Sequence, residues 1–293
     1  MRRALRNLLF SLGLAAGVLG AAEAVLRVAG VPDPGLYAGD IGSVWTLRPG
    51  LADHEVPFRE RGTTFRVRTS SVGYRGAEPA RGAVVCLGDS TTFGWGVEED
   101  EAWPARLGAA LGEPTVNGGV PGHSTHQGLA TLDTALDLAP SRVVLAWLVR
   151  DAELAAAPDR VRAAAPSRAP DLALVSLLRS LRPAPPPVAG TTPRVPAEDY
   201  LANLREVVSR VRAAGAEPRV LAFPMLDPPR AHLRALEVLA TDVPVLTPSF
   251  PASAFFPEDP IHLTAEGNAA LATLVADWLR SPGALRDPHA PHD

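Results

Sequence analysis

The sequence predicts an α/β protein, a parallel sheet with helices on both faces, preceded by an apolar helix and a small β-rich extension. Three observations carry this. From residue 83 onward, short apolar runs alternate with amphipathic stretches at helical spacing, the order that builds parallel sheets. The first thirty residues join a basic flank to an apolar stretch. Residues 31–82 hold no long helical period, only short alternating pieces such as Thr64-Phe65-Arg66-Val67-Arg68 among turn-forming Gly and Pro.

The chain has 293 residues, 46% of them hydrophobic, which is material for one packed domain of about 200 residues with appendages. Twenty-eight basic and 32 acidic residues give a net charge of −4 with no basic block, so nothing is present to track a phosphate backbone, and nucleic acid is excluded as a partner. Every basic residue counted there is Arg, which with the many Ala, Pro and Gly points to a GC-rich bacterial genome rather than a charge requirement. The single cysteine, Cys86, excludes an internal disulfide. It lies in the apolar run Ala83-Val84-Val85-Cys86-Leu87, where a buried, inert thiol is expected.

Along the chain, Arg2, Arg3 and Arg6 precede an uncharged stretch from Leu8 to Ala22, and Glu23 and Arg27 interrupt its continuation to Ala29. Two readings stand for residues 1–30. Ala22-Glu23-Ala24 fits a small-x-small cleavage site of a secretory signal; the continuation to Ala29 brings a helix up to spanning length, as in a retained anchor. Either reading sends the remainder to the cell envelope, inner-membrane anchored or exported. Ala83–Leu87 reads as a buried parallel strand ending at Gly88, and Glu101–Leu111 as a helix with Trp103, Leu107 and Leu111 on one face. Pro114–Asn117 is a very short strand, Gln127–Leu138 a helix, and Arg142–Val149 a strong strand. Residues 155–196, rich in Pro, Ala and Arg, form an insertion in which only Asp171–Leu181 has helical character. Ala197–Ala214 is an amphipathic helix stopped by Gly215 at C′. Arg219–Phe223 and Val243–Thr247 are the last strands, and Thr264–Arg280 the last helix, with Thr264 as N-cap. Residues 281–293 are expected to be a disordered tail.

In such sheets, functional groups gather where the strands end. Gly88-Asp89-Ser90 follows the first strand, so Ser90 stands at a strand-to-helix turn, where oriented amides can stabilise an oxyanion. Alone, that serine also reads as a helix cap. Near the other end stands Asp259-Pro260-Ile261-His262, immediately before the last helix. A serine hydroxyl needs a base to become nucleophilic, histidine titrates near neutrality, and a carboxylate three residues away can fold back to fix its tautomer.

With these segments the chain resembles the SGNH (GDSL-like) hydrolase family over roughly residues 83–280. Gly88-Asp89-Ser90 looks like its first block, and Asn117-Gly118-Gly119-Val120-Pro121-Gly122 like its second. Asp259 and His262 look like its fifth. The resemblance implies a flavodoxin-like three-layer α/β/α sandwich and a serine esterase with the triad Ser90, His262 and Asp259. It also implies an oxyanion hole including the amides of Ser90 and Gly122. No organic cofactor and no metal are implied. One position departs: the third block ends Gly-x-Asn-Asp in the family and Leu148-Val149-Arg150-Asp151 here, so Arg150 occupies the place of an oxyanion-donating Asn. Two roles for Arg150 stay open, a replacement donor or a structural or substrate-carboxylate contact, with Asp151 or Asp89 as ion-pair partners. The α/β-hydrolase elbow Gly-x-Ser-x-Gly is absent, since Thr92 holds its last position.

His123 and His126 form a His-x-x-His pair without a third ligand at recognisable spacing, and read as cleft-lining or solvent-facing residues. Trp103 is expected in the core and Trp95 at the pocket. The expected partner is a small acyl ester or acylated glycan, such as an O-acetyl group on an envelope glycan, with a membrane if the N-terminal segment stays. An O-acyltransferase of envelope polysaccharide would use the same residues, and Arg150 leaves room for a catalytically impaired glycan-binding module.

Overall fold

The two faces of the central sheet can be read from alternate side chains. Val85, Leu87, Val143, Leu145 and Val220 join one buried cluster, whereas Val84, Cys86, Val144, Ala146 and Leu221 join another on the opposite face. The central strand Val84–Gly88 carries no polar side chain because both of its faces are covered. The computed structural model describes residues 2–29, 35–39, 44–163, 172–180, 190–257 and 259–280. They belong to two compact units, one drawn from 1–35 and 166–187, the other from 36–165 and 188–293. The expected tail, 281–293, lies outside the described residues.

α1 (Arg2–Val28) is continuous through Ala22-Glu23-Ala24. Its stretch Leu9–Val28, 20 residues, is long and apolar enough to cross a membrane, since 1.5 Å per residue gives about 30 Å. The β-rich extension holds two antiparallel pairs: β1 (Tyr37–Gly39) with β2 (Trp45–Leu47), and β3 (His54–Phe58) with β4 (Thr63–Val67). Trp45, Leu47, Val56, Phe58, Phe65 and Val67 pack with Phe93 and Val120 in a third cluster, which ties the extension to the rim of the sheet where the chemistry was expected.

Next come β5 (Val84–Gly88), α2 (Ser90–Phe93), α3 (Trp103–Leu111) and β6 (Thr115–Gly119). α4 (Thr125–Ala130), α5 (Leu132–Leu136), β7 (Arg142–Ala146) and α6 (Val149–Ala152) follow. The insertion contributes β8 (Leu154–Ala155), α7 (Asp159–Ala163), α8 (Ala173–Ser180) and β9 (Thr192–Pro193). The chain then forms α9 (Ala197–Ala213), β10 (Glu217–Leu221), α10 (Arg230–Leu239), β11 (Val245–Leu246) and α11 (Ala265–Arg280). The sheet runs β11-β10-β7-β5-β6, parallel throughout, with α5, α9 and α10 on one face and α3 and α11 on the other. Counted along the core strands this is the order 2-1-3-4-5 of flavodoxin-like sheets.

Several elements differ from the sequence expectation for local reasons. The helix expected over Gln127–Leu138 begins at Thr125, because Ser124 and Gln127 form a capping box, and breaks at Thr131, whose hydroxyl donates to the Gln127 carbonyl at 3.1 Å. The strand expected through Val149 ends at Ala146, and Val149 opens α6. α10, absent from the sequence reading, follows Pro228-Pro229 and buries Ala235, Leu236 and Leu239 on one stripe.

Candidate active site

Ser90 is the first residue of α2, directly after β5. The turn is held by Asp89, whose Oδ1 accepts from the Thr91 amide at 2.8 Å and from the Thr91 hydroxyl at 2.7 Å. The far end of α2 is fixed by a residue whose role the sequence did not disclose. Arg75 is buried, and its Nη1 donates to the carbonyls of Phe93 (2.7 Å) and Gly94 (2.8 Å) while Nη2 donates to Val97 (2.7 Å). Its guanidinium carbon lies 4.5 Å over the Phe93 ring. Burial pushes its pKa down to about 10, opposed by Glu99, Glu98 and Glu101, so it stays charged near neutrality. The signal available was its place in the turn-rich segment Ser71-Val72-Gly73-Tyr74-Arg75-Gly76, which leads from the extension into β5.

The structure brings the two distant segments together. His262 Nε2 lies 2.9 Å from Ser90 Oγ, and His262 Nδ1 lies 2.7 Å from Asp259 Oδ2. Asp259 Oδ1 accepts from the amides of Ile261 and His262, each at 3.1 Å, which makes Asp259–His262 a closed local loop. Burial raises the Asp259 pKa, but the His262 ring and these two amides outweigh it and hold the carboxyl below its ordinary range. A carboxylate held ionised there keeps the Nδ1 proton on the ring and leaves Nε2 free to accept from the serine.

Gly122 closes the opposite wall. Its φ of +86° is left-handed, and an added Cβ would stand 3.1 Å from the Trp45 ring, so glycine is needed on both counts. Trp45 Nε1 donates to the Pro121 carbonyl at 3.2 Å, and His123 Nε2 lies 2.7 Å from the Trp45 carbonyl. Among the described residues, the backbone amides of Ser90 and Gly122 donate to no protein group. Ser90, His262, Asp259, Gly122, Trp95 and Arg150 all line one cavity of about 540 Å³.

Two expectations need correction. His123 is neither solvent-facing nor part of this cavity's wall: it is buried, bonded to Trp45, and burial pushes its pKa down to about 4, so the ring is neutral. Arg150 pairs with neither Asp151 nor Asp89. Its Nη1 donates to Glu153 Oε2 at 3.2 Å, because Asp151 is turned inward, fully buried, accepting from the Thr125 amide (2.9 Å) and hydroxyl (2.5 Å). Trp103 is fully buried, as expected. Among the described residues, no cluster of His, Cys, Asp or Glu could hold a metal.

A parallel sheet carrying a buried serine against a histidine at its carboxyl edge defines the class, and the chain is a serine ester hydrolase. The sequence model of the GDSL-like lipase/acylhydrolase family matches residues 86–270, and the chain belongs to that family. Among solved structures it is similar to a G-D-S-L family lipolytic protein from Desulfitobacterium hafniense, with 16% identity and a TM-score of 0.48, covering 67% of this chain and 99% of that one. It is similar also to an acetyl-xylooligosaccharide esterase from Geobacillus stearothermophilus, with 16% identity and a TM-score of 0.46, covering 71% and 98%. A third is the esterase EstA from Pseudoalteromonas sp., with 16% identity and a TM-score of 0.44, covering 68% and 100%. No curated protein sequence matches.

Proposed function

We propose that Ser90, His262 and Asp259 are a catalytic triad that hydrolyses small acyl esters, among them O-acetyl groups on envelope glycans. The observation that carries this is the unbroken chain from Ser90 Oγ through His262 to Asp259, at 2.9 and 2.7 Å, in the wall of a cavity. His262 Nε2 takes the Ser90 proton as Oγ adds to the ester carbonyl. Asp259 stabilises the imidazolium that forms. The free amides of Ser90 and Gly122 supply the oxyanion donors. Collapse of the tetrahedral adduct breaks the ester C–O bond, and His262 passes its proton to the leaving alcohol. Water then enters, loses its proton to His262, and releases the acid and Ser90.

The acetyl substrate is suggested by an envelope location. Supporting that location, α1 has spanning length, and Glu23 within it accepts from the amides of Ala173 (2.8 Å) and Leu174 (3.0 Å) at the start of α8. Cleavage after Ala24 would remove this cap, so the helix reads as a retained anchor. N-terminal sequencing of the protein from bacterial membranes should find residues before Val25; a chain beginning at Val25 rejects the anchor. The full chain in detergent should hydrolyse p-nitrophenyl acetate. Ser90→Ala should lower the rate at least about 1000-fold, and equal rates for the two proteins would refute the triad.

A further inference from the structure

Two guanidinium groups stand in the wall of the Ser90 cavity with most of their donor capacity unspent. Arg150 makes one hydrogen bond among the described residues, the 3.2 Å contact to Glu153. That carboxylate is 45% exposed and is shared with Arg194 at 3.3 Å, so it neutralises Arg150 poorly. Arg150 Nε is shielded from solvent with no acceptor. Arg61 forms no hydrogen bond or ion pair among the described residues. Its guanidinium rests 5.3 Å over the Phe256 ring, which holds a cation at the cavity without cancelling it. Asp259 is the one carboxylate among the described lining residues, and it is committed to His262. Tyr37, also in the wall, has its pKa pushed up to about 12 by burial and drawn back by Arg150, so its neutral hydroxyl is near that cation.

We propose that the cavity takes esters that carry a carboxylate close to the scissile bond, with Arg150 and Arg61 as the anion receptors. This rests on the hydrolase reading above and names its substrate class. A neutral acetyl ester would leave Arg61 unpaired and Arg150 with only its half-exposed Glu153 contact, whereas a carboxylate offers oxygens that the planar guanidinium fork matches two at a time. The carboxylate takes no part in bond making: Ser90 Oγ still bonds to the ester carbon, the alcohol leaves with the proton from His262, and the anion stays as it entered. It can sit on the acyl side, as in a succinyl half-ester, or on the alcohol side, as in an acetylated uronic acid. A role for Arg150 as an oxyanion donor makes a different demand, because a donor to the reacting carbonyl would serve neutral and anionic esters alike.

The test compares matched pairs on the full chain in detergent. 4-Nitrophenyl butyrate against mono-4-nitrophenyl succinate places the charge in the acyl part. O-Acetylated methyl galactoside against O-acetylated methyl galacturonoside places it in the alcohol. The anionic member of at least one pair should show a kcat/KM about tenfold higher, through KM, and the preference should shrink in 1 M NaCl. Arg150→Gln and Arg61→Gln should each bring that ratio towards one. Where Arg150→Gln fails to fold, Arg61→Gln and Arg150→Lys carry the comparison. Calorimetry on Ser90→Ala, which keeps both guanidinium groups and lacks turnover, should give a Kd for the half-ester about tenfold below that of the butyrate. Ratios at or below one in both pairs, or equal Kd values for the two esters, overturn the anion receptor. So does an Arg150→Gln variant that slows both members of a pair equally. Hydrolysis of neutral esters that depends on Ser90 but shows no anion preference sinks this inference alone. Hydrolysis independent of Ser90 sinks the triad, and the anion preference within the matched pairs, with its loss in Arg61→Gln, then decides the receptor by itself.

Discussion

Asp151 makes a prediction whose size can be worked out in advance. Its carboxyl is fully buried, and burial pushes its pKa up to about 7, opposed by the Thr125 hydroxyl and amide. The unfolded chain releases the same proton near 3.8. Between those values the folded state holds the extra proton, so stability falls as pH rises, and the loss is complete above about pH 7. About 3 pH units at about 1.4 kcal/mol each give a total loss of about 4 kcal/mol, of which about 3 kcal/mol falls between pH 5 and pH 8. Asp151→Asn removes the ionisation and keeps an oxygen for the Thr125 amide and hydroxyl. Urea unfolding of both full chains in detergent, followed by tryptophan fluorescence, should show the variant gaining about 3 kcal/mol on the wild type from pH 5 to pH 8. The comparison is independent of any constant offset from the amide, because only the change in the difference is read. A difference that stays constant to within about 0.5 kcal/mol across that range would refute the reasoning.

Three further outcomes are expected. Gly119→Ala would place a Cβ 2.2 Å from the Phe93 amide nitrogen and 2.7 Å from its Cα, so the backbone of α2 must give way; stability should fall by about 1–3 kcal/mol in urea, and esterase activity by about 100-fold as α2 shifts Ser90. Arg75→Ala strands the Val97 carbonyl, leaves those of Phe93 and Gly94 with only the Asn117 amide and the Val97 N–H, and empties a buried site, costing about 3–5 kcal/mol in the same unfolding assay. Asp259→Asn keeps an acceptor for the Ile261 and His262 amides while losing the charge that orients the ring, so kcat should drop about 1000- to 10,000-fold with the melting temperature nearly unchanged.

The sheet was legible because its central strands, buried on both faces, spell short apolar runs that alternate with amphipathic helices such as α3, α9 and α11. The Asp259–His262 loop was legible because its bonding is local, closed by contacts of two and three residues. What stayed hidden depends on partners far along the chain. Nothing near Arg75 shows that its donors meet carbonyls 18, 19 and 22 residues later. Nothing near His123 shows that its acceptor is the Trp45 carbonyl, 78 residues away. The extension gave the same difficulty: its alternating pieces announced strands, yet that Tyr37, Phe58 and Arg61 line the same cavity as Ser90 is set by tertiary packing alone. Arg150 was visible as a departure from the family block, but the inward turn of Asp151 that leaves it to Glu153 was not.

Ser90 and His262 are 172 residues apart, and the fold closes that gap by fixing both to the same helix pair. α3 follows Ser90 and α11 follows His262; the two pack side by side in one cluster through Trp103, Leu107, Leu271 and Val275. Asn268, buried on α11, accepts from the Trp103 amide at 3.0 Å and donates to the Leu263 carbonyl at 2.9 Å. One side chain thereby ties the start of α3 to the residue after His262. The loop is pinned again by the Phe256 amide on the His262 carbonyl, 3.0 Å, and the Thr264 amide on the Ala254 carbonyl, 2.9 Å. An imidazole held by its own backbone, by a neighbouring carboxylate and by the helix beside the serine has little freedom left to lose in a transition state. That restraint is what the proposed proton transfer across the 2.9 Å contact would require.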